Sequence, residues 1–244
     1  MRRWAGHSGG SLTQLDFSRY EALTFDCYGT IVDWESGILA ALRPAFEGRD
    51  VEAADETLLE AFGRFEAEIE AGPYRRYRHV LGEVLRRIAS EHGFAPTAEE
   101  VAAFGGSVGD WPPFADSVDA LRRLSMRYRL GVITNCDDDL FAATQRRLGV
   151  TFDQVVTAEQ IGGYKPSHRN FEVMFERLGL PPDRILHVAQ SLFHDHVPAK
   201  ELGLSSVWVD RRRGGSGFGA TKPAHASPDL TVPDLASLAR RAGL

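Results

Sequence analysis

Asp26 closes a short apolar run, Ala22-Leu23-Thr24-Phe25, just ahead of the turn Cys27-Tyr28-Gly29-Thr30. Such a run broken by a Gly turn reads as a buried strand. A carboxylate at its last position lies at the carboxyl edge of a parallel sheet, where open α/β folds collect their chemistry. An Asp placed there can act as a nucleophile and carry a covalent ester. Three later segments also end strands or turns on polar residues. Thr134-Asn135 ends the run from Leu130 and offers a hydroxyl, an amide and free backbone N–H groups to a carboxylate or oxyanion. Lys165, in Gly162-Gly163-Tyr164-Lys165-Pro166, is a cation on a rigid turn that can be aimed into a strand-end cleft. Asp195 ends Ala189-Gln190-Ser191-Leu192-Phe193-His194-Asp195, after the strand pattern Ile185 to Gln190.

In their order and spacing these segments resemble the haloacid dehalogenase superfamily, and the likeness runs from Tyr20 to the C-terminus. The nucleophile of that superfamily is an Asp placed as Asp26 is. Its phosphatases carry a second acid two residues on, where this chain has Tyr28. Tyr28 followed by Gly29-Thr30-Ile31-Val32-Asp33-Trp34-Glu35 resembles the branch that hydrolyses carbon–halogen bonds, the type II or L-2-haloacid dehalogenases. The resemblance implies that Asp26 attacks a short 2-haloacid, with Lys165 pairing Asp26 and the substrate carboxylate. It implies that Thr134 holds that carboxylate, that Asn135 helps hold the departing halide, and that Tyr28 lines the pocket. Asp195 would position the hydrolytic water or Lys165. Relatives of this kind receive the halide on an Arg of the first long cap helix. Arg64 is the nearest candidate here, about one turn out of register, with Arg75, Arg76 and Arg78 as alternatives. They also carry Ser where Gln190 stands and Asn where Leu192 stands.

Neither a metal nor another cofactor is expected. Phosphatases of the superfamily place a Mg²⁺-binding acid where Gln190 stands, and Mg²⁺ favours carboxylate and water oxygens. Phosphoryl transfer brings an anion towards a dianion and calls for a metal. Halide displacement beside one carboxylate does not, and the halide leaves unprotonated. A Mg²⁺-dependent phosphatase, a non-catalytic binding protein on the same fold, and hydrolysis of a fluorinated or other carboxylate through the same ester stand as alternatives.

The elements that must position these groups follow from periodicity. Apolar residues recur at helical spacing over 34–46, 55–70 and 77–88, and Thr97-Ala98-Glu99-Glu100 carries the Thr and acid of a capping box. No strand pattern occurs from 33 to 111, so an all-helical cap is expected there. Strand and helix patterns then alternate to the end, which predicts a doubly wound parallel sheet, Rossmann-like in kind. The expected division is an extension at 1–14, an α/β core at 15–32 and 112–244, and the cap at 33–111.

Net charge is −6, which excludes a global basic field for nucleic acid. Arg211-Arg212-Arg213, ahead of a Gly-rich stretch, reads as a solvated loop. No apolar stretch approaches the ~20 residues that span a bilayer, and the two arginines at the start precede no apolar segment. Cys27 and Cys136 have no metal-ligand spacing and read as free buried thiols of a reducing compartment. A cytoplasmic enzyme acting on a small 2-haloacid and water is expected, with no nucleic-acid or membrane partner and with a homodimer as a conceivable assembly. His194 and His196 flank Asp195; His194 is a candidate base, while a His pair on an irregular loop makes a poor metal site.

Overall fold

The structure is a computed structural model and describes residues 15–49, 51–213 and 219–244. The expected extension at 1–14 and most of the Gly-rich stretch after the arginines lie outside the described residues. Strand β1 (Ala22–Phe25) is followed by helices α1 (Trp34–Leu42), α2 (Asp55–Glu70), α3 (Tyr77–Glu91), α4 (Ala98–Gly106) and α5 (Ser117–Ser125) before β2 (Arg129–Thr134) begins. Then come α6 (Asp138–Leu148), β3 (Gln154–Thr157), α7 (Ala158–Ile161), α8 (His168–Leu178), β4 (Ile185–Ala189), α9 (Val197–Glu201), β5 (Ser205–Val209), β6 (Leu230–Val232) and α10 (Leu235–Arg241). A single π-helical turn, Leu192–His196, links β4 to α9.

The strands are parallel throughout and run in the order β3-β2-β1-β4-β5-β6. The order reverses between β1 and β4, and ligands of such sheets bind in the crevice beyond that switch point. Register carries this into detail. Phe25 is level with Val132 on β2 and with Val188 on β4, so Asp26 emerges between the ends of both neighbours. Side chains alternate across β1 as a two-residue period requires. Leu23 and Phe25 join the large core shared with α5, α10 and the helical insertion, while Ala22 joins Phe171 and Met174 of α8.

The helical insertion after β1 holds together through its own apolar faces. Leu58, Phe62 and Phe65 of α2 meet a core that includes Leu81, Val84 and Leu85 of α3. Each such side chain contributes ~1.5–3 kcal/mol by leaving water. Thr97 and Glu100 cap α4 reciprocally, as expected. α2 also lies hard against the core domain: a Cβ at Gly63 would sit 2.5 Å from the Ala220 carbonyl oxygen. That approach fixes which face of α2 overhangs the sheet edge.

The first insertion helix stops earlier than its apolar spacing suggests, because Pro44 in the tight turn Arg43–Ala45 has no N–H to continue it. The last helix starts at Leu235, capped by the Asp234 side chain. The arginine run is not a solvated loop. Arg211 donates to the Thr30 carbonyl and to Asp116 at 2.7 Å with its side chain 7% exposed, and Arg212 pairs with Glu35 and Glu56. These partners come from distant segments, which local charge patterning does not reveal. No helix among the described residues is long and apolar enough to cross a membrane.

Candidate active site

The switch point is filled by one connected polar network. Lys165 is delivered by the turn after α7, and its Nζ donates to Asp26 Oδ1 at 2.8 Å, to Asp195 Oδ1 at 2.8 Å and to the Ile133 carbonyl at 2.9 Å. An ammonium has three N–H groups, so Lys165 is fully committed. Its side chain is 1% exposed. Thr30 donates to Asp26 Oδ2 at 2.6 Å and accepts from the Gln190 backbone N–H at 2.8 Å, tying the turn after β1 to the end of β4. Gly29, at φ +90°, supplies the left-handed step in that turn. Behind Asp195, His187 Nε2 lies 3.0 Å from Oδ1 and its Nδ1 2.9 Å from Thr24 Oγ1. An ionised carboxylate only accepts, so His187 Nε2 carries a proton and donates to Asp195. Asp195 Oδ2 is buried without a protein partner among the described residues.

Electrostatics separate these groups. Burial alone would raise the Asp195 carboxyl, but Lys165 and then His187 outweigh it and hold Asp195 well below the usual carboxylate range. Asp26 moves the other way: burial and the Asp195 charge raise it against the pull of Lys165. Lys165 is raised, since its two carboxylates outweigh its burial. The network is thus an ion triad with a basic Asp26 at its open end.

The cavity above it, about 40 Å³, is lined from the core by Asp26, Tyr28, Asn135, Lys165, Gln190, Ser191, His194, Asp195 and Thr221. From the insertion it is lined by Trp34, Glu66, Glu70 and Tyr77. Tyr28 presents its ring, stacked edge-on against Trp111 at 5.6 Å, while its hydroxyl turns away to Thr144 at 3.0 Å. Asn135 is clamped: its Oδ1 accepts the Lys165 N–H at 2.7 Å, and its Nδ2 donates to Glu70 and to the Lys165 carbonyl, each at 3.2 Å. His194 is neutral because burial lowers its pKa to about 4. His196 is a packing residue, bonded to Ser206 and the Ala189 carbonyl. Both cysteines are buried free thiols, and burial raises each.

The structure brings together Asp26, Lys165, Asp195, Tyr28 and Asn135, and it removes two expected contacts. Thr134 is fully buried and does not line the cavity, although its Oγ1 lacks a protein partner among the described residues. Arg64 is on the outside of α2, half exposed, paired with Glu91 at 2.8 Å and stacked on Phe65. Two residues of helix turn a side chain by ~200°, so with Arg64 outward, Glu66 faces in, and Glu70 follows one turn later. Arg76 and Arg78 pair with Asp137 and Asp139 instead of lining the cavity. The cap half therefore supplies two buried carboxyls and no cation among its described residues. Burial lifts Glu66 to about 7 against a 2.6 Å bond from the Tyr77 hydroxyl. Burial, then the Glu66 charge, raises Glu70 well above the usual range.

Sequence reasoning missed Thr30, Glu66, Glu70, Tyr77 and His187. Acids at i+4 and i+8 from Phe62, on the apolar face of α2, were a readable sign, as was a His inside the strand Ile185–Ala189. The donors fit Mg²⁺ poorly. Lys165 occupies the space between the two Asp side chains, and Gln190 offers an amide that already accepts from Thr221 at 3.2 Å. No cluster of three acidic, His or Cys side chains suited to a metal occurs among the described residues.

Comparisons with known proteins show the family and the fold. Residues 20–192 match the family model described as haloacid dehalogenase-like hydrolase. An (S)-2-haloacid dehalogenase of Pseudomonas putida is 24% identical over 219 residues, covering 86% of this chain and 93% of that one. The solved L-2-haloacid dehalogenase PA0810 superposes with a TM-score of 0.77 at 23% identity, over 91% of this chain and 99% of that one. The L-2-haloacid dehalogenase of Xanthobacter autotrophicus with chloropropionic acid covalently bound gives 0.76 at 23% identity, over 91% and 97%.

Proposed function

The chain belongs to the haloacid dehalogenase-like hydrolases, and from that footing we propose that it hydrolyses short 2-haloalkanoates through an ester on Asp26, without a metal. The observation that carries the reading is the Asp26–Lys165–Asp195 triad, closed to a metal and flanked by the aromatic Tyr28. An Asp26 oxygen attacks the carbon bearing the halogen from the side opposite the halide. The carbon–halogen bond breaks, its electron pair leaves with the halide, and the carbon is inverted. Lys165 keeps the two anions compatible throughout. Water then attacks the Asp26 carboxyl carbon, and the 2-hydroxy acid leaves. Asp195 Oδ2, free to accept, supports a role in orienting that water; its low pKa makes it a poor proton acceptor by itself.

Two measurements test this. Halide release from chloroacetate and the 2-chloropropionates should persist in EDTA and gain nothing from Mg²⁺. A single turnover with excess enzyme in H₂¹⁸O should put the label into the peptide containing Asp26. Label confined to the hydroxy acid would mean direct attack by water. Activity that needs Mg²⁺ and frees phosphate from esters would replace the dehalogenase reading with a phosphatase.

A further inference from the structure

A departing halide is stabilised by a hydrogen-bond donor, and the N–H groups of Lys165 and Asn135 beside Asp26 are already committed. All three Lys165 protons are taken, Asn135 Nδ2 already serves Glu70 and the Lys165 carbonyl, the Tyr77 hydroxyl donates to Glu66, and the Tyr28 hydroxyl is turned away to Thr144. Glu70 remains. Its side chain is 6% exposed, it lines the cavity with Asp26, and its Oε1 is buried without a partner. Its other oxygen, Oε2, is an acceptor by constraint. The Lys165 backbone N–H fixes Asn135 Oδ1, so the group that meets Oε2 is the Asn135 NH₂. A proton on the Glu70 carboxyl must therefore sit on Oε1.

Resting on the dehalogenase reading, we propose that Glu70 donates its carboxylic-acid proton in a hydrogen bond to the departing halide, and that this adapts the site to 2-fluorocarboxylates. A guanidinium attracts every halide by charge. A neutral O–H instead discriminates by how strongly the ion accepts a hydrogen bond, and fluoride accepts most strongly of the halides. The step balances without a further reactant. The Asp26 oxygen–carbon bond forms, the carbon–fluorine bond breaks with its electron pair going to fluoride, and Glu70 keeps its proton in a shared bond. Water cleaves the ester, one of its protons going to the hydroxy acid and the other to solvent.

The surroundings favour the acid form. Facing Glu70 are Glu66 on its own helix, Lys165 from the turn after α7, Asp26 and Asp195 from the sheet edge, Tyr77 from α3, and His194 from the π-helical turn. Lys165 is the one cation among them, and its charge is divided between Asp26 and Asp195. His194 Nε2 comes within 4.0 Å of Glu70 Oε2, but burial leaves that imidazole neutral. Burial and Glu66 then outweigh Lys165 and Asn135 in setting the Glu70 carboxyl high.

The experiment compares fluoride, chloride and bromide release from the 2-haloacetates by wild type, Glu70→Gln and Glu70→Leu, with an infrared spectrum of each. Glu70→Leu should lose fluoride release at least tenfold more than bromide release. Glu70→Gln keeps an N–H donor of the same shape, so it should recover much of that selectivity and lose any alkaline decline in rate. The carboxylic-acid carbonyl band of the wild type should weaken in both variants. Equal losses on all three halides in Glu70→Leu, or Glu70→Gln as damaged as Glu70→Leu with no loss of the acid band, would overturn the proposal, the latter pointing to an ionised Glu70. A wild type silent on every haloacid but folded by circular dichroism would instead bring down the dehalogenase reading itself, and this inference with it.

Discussion

The floor and the roof of the cavity are both built from buried carboxyls, yet Asp195 on the floor and the two Glu side chains of the roof sit at opposite electrostatic limits. On the floor, Asp195 is surrounded by donors from Lys165 and His187 and stays ionised. On the roof, Glu66 and Glu70 have a phenol and an amide for company and are pushed towards the neutral acid. Burial penalises charge equally in both places. What separates Asp195 from the roof is a cation and an imidazole N–H within bonding distance, while Asp26, which shares Lys165 with Asp195, is raised all the same. One residue chemistry thus yields an anion below, suited to assist nucleophilic attack, and hydrogen-bond donors above.

The heaviest blow to this contrast is removal of the cation. Lys165→Met would leave Asp26 and Asp195 buried together without compensation, a loss of ~3–5 kcal/mol in stability. One of the two would then take up a proton, and the floor would come to resemble the roof. Halide release should fall more than about a hundredfold in protein shown to be folded by circular dichroism. Near-normal release from a folded Lys165→Met variant would remove the triad from the mechanism.

The roof can be tested by pH. Glu66 has a folded pKa of about 7 and an ordinary carboxylate value when unfolded, so between these the folded state binds the extra proton. Stability attributable to Glu66 is therefore fully present below about pH 4.5, declines as pH rises to about 7, and levels off above that. The span corresponds to ~3 kcal/mol at most. Asp195 acts in the opposite sense, but its window lies below the ordinary carboxylate range and does not overlap. His194 and His196, held neutral by burial with pKa values of about 4, act in the opposite sense over part of this range. The readout is therefore the difference in urea midpoint between wild type and Glu66→Gln, which should fall from pH 4.5 to about 7 and then flatten. A flat difference would mean that Glu66 is ionised or solvated in the folded protein.

These two halves were not equally legible in the sequence. The floor was readable because its residues sit at the ends of apolar runs, where strand geometry leaves a side chain few directions: Asp26 after Phe25, Asn135 after Thr134. Thr134 itself belongs to the last buried turn of the strand, and one residue of difference decided between lining the cavity and lying behind it. The roof depends on the rotation of α2, which no local pattern sets. Gly63 against the Ala220 carbonyl fixes that rotation, a contact between segments more than 150 residues apart. The same holds for Arg211, whose partners Thr30 and Asp116 come from opposite ends of the core. Density of charge suggested solvent, and tertiary contact decided otherwise.

The smallest expected effect is the sharpest test of which face of α2 looks inward. The resemblance to L-2-haloacid dehalogenases implies that a cap arginine receives the halide, and Arg64 is the nearest one in the sequence. Its guanidinium instead pairs with Glu91 at the surface, with the two side chains 51% and 44% exposed, and stacks on Phe65 at 4.4 Å. An exposed pair of this kind contributes ~0–1 kcal/mol and the stacking ~0.5–1 kcal/mol. Arg64→Ala should therefore shift the urea midpoint slightly and leave kcat and KM for chloroacetate within about twofold, an amount equivalent to ~0.4 kcal/mol in the barrier. Glu70→Leu, one and a half turns along the same helix, should change halide selectivity instead. If Arg64→Ala cuts kcat tenfold or more while stability holds, α2 must present its other face during turnover, and the acidic roof is not the surface the substrate meets.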